Sequence, residues 1–191
     1  MKMVLSSGRL NGTRTYLVGA MDRVPDSGAG WREGITPYLE HMGVTVLNPC
    51  NKPIDVGIED EDTRHWIDHY KENGQYERIK EGFGIIRTVD LRCVDISDFI
   101  VASIDLDVHA CGTYEEITLA NRQKKPVLVW CQQGKKKAPN WLFFMLPHQH
   151  IFGSLDDLLG YLHDIAIGQD TDHHKRWFFF NRNNTGNIEV G

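Results

Sequence analysis

Short apolar, β-rich runs alternate along the chain with stretches of helical spacing. Residues 15–18 (TYLV) form the first run, ending at Gly19. From 31 to 42 the apolar positions Trp31, Ile35, Tyr38, Leu39 and Met42 recur at three- and four-residue intervals, predicting a helix closed by Gly43. Residues 44–47 (VTVL) read as a second strand, stopped by Asn48 and Pro49. Residues 50–75 carry much charge and little periodicity, which predicts either a functional loop or an insertion with a short helix. A helix is expected over 75–94 despite Gly82 and Gly84, then a buried strand at 99–104 (FIVASI). A helix over 113–123, a strand at 126–130 (PVLVW) and a helix over 154–165 complete the pattern, the last with Ser154 as its N-cap.

Strands alternating with helices predict an α/β fold around a parallel sheet. The expected organisation is one α/β domain over residues 1–167, with the variable insertion at about 50–75. A C-terminal extension (168–191) follows. Its aromatic run from Trp177 to Phe180 should pack on the core or on a neighbouring subunit, and its final residues should fray.

Composition excludes more than it selects. The 191 residues are 41% hydrophobic and 25% charged, as in an ordinary soluble globular protein. A net charge of -5 argues against coating a nucleic-acid polymer, which needs a basic face, and Lys135–Lys137 reads as a solvated loop. No apolar run approaches a membrane span, and the first residues lack a signal-peptide core, so a cytoplasmic protein that does not engage a membrane is expected. Cys50, Cys93, Cys111 and Cys131 are widely spaced, which speaks against disulfides or a zinc site. No metal and no cofactor is called for. His148, His150, His173 and His174 are expected to be solvated or interfacial.

In open α/β sheets, ligands bind outside the carboxyl ends of the strands. That rule points to the Gly19–Asp22 stretch, to Asn48 and Pro49, and above all to residues 105–116 (DLDVHACGTYEE). There Gly112 allows a tight turn or close approach of a ligand, and Thr113 opens a helix whose first amides favour an anion or a sugar oxygen. Glu115 and Glu116 follow. Neighbouring helix positions diverge by about 100°, so only one of them can enter a strand-end cleft; both could equally serve the helix dipole. Asp90, on the preceding helix, is a second candidate carboxylate. Asp98 reads as a turn residue, Asp95 has no assigned role, and one of Asp105 and Asp107 is expected to be useful. Paired carboxylates suit N-glycosidic chemistry: one attacks the anomeric carbon and the other handles the leaving group's proton.

The ordered set YLVGAM (16–21), the VDL…SDFIVASID run (89–105), GTYEEITLA (112–120) and KPV (125–127) resembles the nucleoside 2-deoxyribosyltransferase family over roughly residues 14–131. The resemblance implies a flavodoxin-like, Rossmann-like fold. It implies exchange of the N-glycosidic bond of a 2′-deoxynucleoside through a covalent deoxyribosyl intermediate, with transfer to another nucleobase. The nucleophile then falls on Glu116, the aspartate that contacts the base and assists proton transfer on Asp90, and the first-strand tyrosine on Tyr16. Gly19, Met21, Asp107, His109, Gly112 and Thr113 are the expected substrate-binding residues. Implied partners are a small nucleoside or nucleotide and a free nucleobase, and the family's habit, with the aromatic run, predicts a homo-oligomer. His109, Ala110 and Cys111 stand where acidic or serine residues would contact the sugar's 5′ end.

Two alternatives remain open. A hydrolase of nucleotide 5′-monophosphates would use the same carboxylates with water as acceptor, with Arg23 and Arg32 available for the phosphate. In a phosphoribohydrolase-like register the carboxylate would be Glu115. A non-catalytic nucleotide sensor would keep the cleft and need neither Glu116 nor Asp90. Trp66 or Phe83 could stack on a base or simply pack.

Overall fold

The computed structural model describes residues 8–169 apart from 53 and 55, together with 175–178 and 180. Five parallel strands form one sheet in the order β2-β1-β3-β4-β5. They are β1 (Arg14–Gly19), β2 (Thr45–Leu47), β3 (Phe99–Ile104), β4 (Val127–Cys131) and the two-residue β5 (Ile151–Phe152). This is the flavodoxin-like doubly wound topology: the chain moves outward from β1 to β2, then crosses back to place β3 on the other side of β1. β3 is buried along its whole length, as expected of the central strand of a sheet covered on both faces.

Alternation along the strands divides the core. Tyr16 and Val18 of β1, with Ile100 and Ala102 of β3, face α3 (Tyr76–Ile96) and α4 (Cys111–Arg122). Leu17, Phe99 and Val101 face α1 (Ala29–His41) and α6 (Leu155–Ile167). On α4 the buried positions are Thr113, Glu116, Ile117 and Ala120, one stripe at helical spacing that carries a carboxylate into the interior. On α3 the inward stripe is Val89, Cys93 and Val94, with Asp90 at its edge. Ser154 caps α6 as expected, its hydroxyl accepting from Asp157 N at 3.1 Å.

Several expectations change. Of the two readings of the 50–75 stretch, the insertion with a helix holds: α2 (Glu61–Glu72) is capped by Asp60, whose carboxylate accepts from Thr63 N at 2.8 Å. A short α5 (Asn140–Met145) and β5 were not anticipated, because six and two residues are too few to show a period. Tyr38 is outward on α1, and Arg32 takes a buried position in its place. His150 is buried, not solvated, with Nε2 3.0 Å from the Tyr161 hydroxyl; His173 and His174 lie outside the described residues.

Two residues of the aromatic run, Trp177 and Phe180, pack on the chain's own core. Trp177 is 0% exposed, lies 5.3 Å from Phe99 between ring centroids, and donates from Nε1 to Tyr161 Oη at 2.9 Å. Phe180 stacks on Trp177 at 5.4 Å. Phe178, by contrast, is 44% exposed. Residues 181–191, expected to fray, lie outside the described residues. Among the described residues the four cysteines are free and no helix is long and apolar enough to cross a membrane.

Candidate active site

A cleft of about 280 Å³ opens at the carboxyl ends of β1 and β3, where the sheet order reverses. Its wall combines Tyr16 of β1, residues 19–23 that follow it, Pro49 after β2, Glu59 from the insertion, Asp90 of α3 and residues 109–113 leading into α4, with Glu116 one turn further on. The strand-end rule thus locates the cleft.

Glu116 sits at its floor, 8% exposed, and accepts from the Tyr16 hydroxyl at 3.2 Å. Burial, then the charge of Asp90, pushes its carboxyl up to about 8, against the opposing pull of the Tyr16 hydroxyl and of Arg32. Burial first, then the charges of Glu116 and Asp90, raises Tyr16 well above the ordinary phenol, so it stays a hydrogen-bond donor. Asp90 pairs with Lys52, whose Nζ lies 2.8 Å from Oδ1. Glu59 is raised by burial and then by Asp90. Tyr16 and Glu116, both raised by burial, thus stand beside Asp90 in a strand-end cleft.

Glu115 is elsewhere. It points away from the cleft and pairs with Arg87 of α3, Arg87 Nε donating to Oε2 at 2.8 Å. The divergence of adjacent helix positions therefore resolves the two glutamates in favour of Glu116 as the cleft carboxylate. Gly19, Met21, His109, Gly112 and Thr113 line the cleft with Tyr16, Asp90 and Glu116. Asp107 does not: its carboxylate, with that of Asp105, is engaged by the Gln133 side chain on the far side of the β3–α4 loop. Gly112 lies in the first turn of α4, so it makes no tight turn, and a Cβ there would meet no protein atom within 4 Å. A Cβ on Gly19 would crowd Trp31 at 3.1 Å and the Ser103 carbonyl at 3.2 Å; the glycine makes room chiefly for protein.

Arg32 is withdrawn from phosphate binding. It is fully buried, and its guanidinium donates to the carbonyls of Gly28 at 2.7 Å, Gly19 at 2.9 Å and Leu17 at 3.2 Å, tying α1 to the end of β1. Arg23 remains on the cleft rim, 3.7 Å from Asp22. Trp66 and Phe83 belong to an aromatic cluster with Tyr70 between α2 and α3 and do not line the cleft. Cys111 and His109 form a contact on the rim, Sγ to Nε2 at 3.1 Å. Asp98, expected as a turn residue, ties the start of β3 to β1, its carboxylate accepting from Arg14 N at 2.8 Å. Asp95 accepts from Gln123 Nε2 at 2.6 Å. Lys52 and Glu59 escaped sequence reasoning, for they lie in a segment without periodicity or motif.

No protein-family model and no curated protein matches the sequence. Solved structures do. A 2-deoxyribosyltransferase from Bacillus psychrosaccharolyticus aligns over 81% of this chain and 96% of its own, at 17% identity and a TM-score of 0.53. A 2-deoxyribosyltransferase from Leishmania mexicana aligns over 78% and 96%, at 15% identity and a TM-score of 0.51. A CMP N-glycosidase from Clostridium botulinum aligns over 78% and 97%, at 16% identity and a TM-score of 0.45. What the first two share with this chain is the fold.

Proposed function

We propose that the protein cleaves the N-glycosidic bond of a 2′-deoxynucleoside and transfers the deoxyribosyl group to a second nucleobase. The observation that carries this reading is the buried Tyr16–Glu116 hydrogen bond beside Asp90 in a strand-end cleft. The likeness in fold to two 2-deoxyribosyltransferases, and the run of motifs from Tyr16 to Ala120, support the same substrate class.

The chemistry follows from the protonation of the cleft. With its carboxyl raised to about 8, Glu116 holds a proton at neutral pH in the empty site. The departing base needs one proton, and the nucleophile must lose one. In the first step Asp90 relays the proton from Glu116 to a ring nitrogen of the base. An Oε–C1′ bond forms as the C1′–N bond breaks, leaving a glycosyl ester and the neutral base. In the second step an incoming base attacks C1′, releases its proton through Asp90, and restores the Glu116 acid. Tyr16 donates to Glu116 throughout and keeps the attacking oxygen aimed.

The test is chromatography of purified protein with deoxynucleosides and their 5′-monophosphates, each with and without a second base. A new nucleoside that forms only with the acceptor present supports transfer. Free base released equally in both conditions makes the protein a hydrolase, the alternative for which Arg23 on the rim offers a phosphate contact. No turnover, with ligand binding retained in Glu116→Ala, would replace both enzymes by a nucleotide sensor.

A further inference from the structure

The cleft gathers Glu59, Asp90 and Glu116; Arg23 and Arg32 line it as well, and Lys52, outside the lining, pairs with Asp90. Arg32 is occupied by four backbone carbonyls and Arg23 lies beside Asp22 on the rim, which leaves Lys52. Its side chain is 1% exposed and that of Asp90 is 15% exposed, with Nζ 2.8 Å from Oδ1. In each other ion pair among the described residues the cation is about half exposed or more. A buried ion pair earns little stability over a packed apolar pair. Its placement on a site carboxylate therefore asks for a reason in the chemistry.

The insertion delivers Lys52 deliberately. Just before it, Asn48 and Asn51 form a bridge that turns the chain back after β2. Lys52 Nζ also donates to the carbonyl of Gly57. Gly57 has φ +71, and a Cβ there would lie 3.2 Å from both Ile86 Cα and Val89 Cγ2 of α3. The loop is thus pressed onto α3 one turn from Asp90, in a conformation and at a distance suited to glycine. The groups around Asp90 are Lys52 and Glu59 from this loop, Tyr16 from β1, Glu116 from α4 and Cys93 from its own helix. Lys52 is the one directly paired cation among them.

We infer that Lys52 is a positioning residue for the reaction: it occupies Oδ1 of Asp90 from behind and leaves the second oxygen to meet the nucleobase. This rests on the proposed function, because it gives Asp90 its partner in the cleft. It also assigns a task to the 50–75 insertion, which among its described residues otherwise contributes only Glu59 to the wall.

The experiment compares wild type, Lys52→Ala and Lys52→Met in the base-release assay, with and without millimolar ethylammonium or the same concentration of ethanol. A loose Asp90 lowers kcat about 100-fold in both variants, the usual cost of a reacting group displaced by about 1 Å, and leaves KM within about threefold. Ethylammonium then restores at least tenfold of kcat to Lys52→Ala, whose shortened side chain leaves room for it. It does nothing for Lys52→Met, and ethanol helps neither. Near-wild-type kcat in soluble Lys52→Ala overturns the inference and leaves the proposed function standing. So does a loss of activity that ethylammonium cannot recover in protein with a wild-type circular dichroism spectrum. A wild type that releases no base from any deoxynucleoside or 5′-monophosphate overturns both.

Discussion

Glu116→Gln should make the protein more stable in alkali while abolishing turnover. The wild-type carboxyl is raised from 4.5 to about 8 by burial and by Asp90. A group whose acid form is favoured by folding binds more protons in the native state than in the unfolded state between those two values. Stability must therefore fall as pH rises across that window, and the loss is complete above about 8. At about 1.36 kcal/mol per pH unit of displacement, the full move is worth about 5 kcal/mol, an upper bound reached if the site does not relax on ionisation. Glutamine has the same shape, can still accept from Tyr16, and does not titrate. Urea unfolding of both proteins at pH 5 and pH 8.5 isolates the effect, because titrations not coupled to Glu116 cancel in the difference. The variant should gain between about 2 and 5 kcal/mol relative to wild type on going from the lower pH to the higher. Equal pH dependence in the two proteins would show that Glu116 is not held in its acid form by the fold, and the proton relay would go with it.

The same reasoning extends to the neighbours. In wild type kcat/KM should fall as pH rises through about 8, where the cleft loses the proton that the leaving base needs; in Tyr16→Phe, which removes a donor that lowers the Glu116 value, this limb should move to higher pH and kcat/KM should drop about 10- to 100-fold. Glu115→Gln should keep kcat within about twofold, since its partner Arg87 is on the surface; a 100-fold loss would return the nucleophile's role to Glu115. Arg32→Met should strand four backbone carbonyls and cost about 3 kcal/mol or more in urea unfolding. Trp177→Ala should cost about 3–5 kcal/mol by opening a cavity against Phe99 and Tyr161, with kcat unchanged in the folded protein.

What the sequence disclosed and what it withheld have physical reasons. β3 was legible to the residue because a strand buried on both faces is an unbroken apolar run. Glu116 was legible as one of two glutamates; its choice over Glu115 depends on which side of α4 faces the sheet, and Thr113, Ile117 and Ala120 fix that only once the helix is docked. Arg32 misled because a buried arginine satisfied by carbonyls looks, in sequence, like any surface arginine. Asp107 misled because the loop after β3 turns its carboxylate towards Gln133, 26 residues downstream. Lys52 was invisible: its partner lies on another element, and no periodicity links position 52 to position 90.

Tyr16 and Glu116 meet across 100 residues of chain, and that separation bears on how the protein is made. β1 is synthesised before both of its neighbours, and the second of them, β3, begins only at Phe99. Every ladder in the sheet is parallel, so each waits for a crossover to be completed. Until α4 has been synthesised and docked, the nascent chain carries an apolar first strand with one edge uncovered and a phenol with no acid to meet. Assembly should be slow for a chain of this length, as expected when non-local pairings dominate. Fragments that end before α4 lack Glu116, the partner of Tyr16, and should not assemble the cleft.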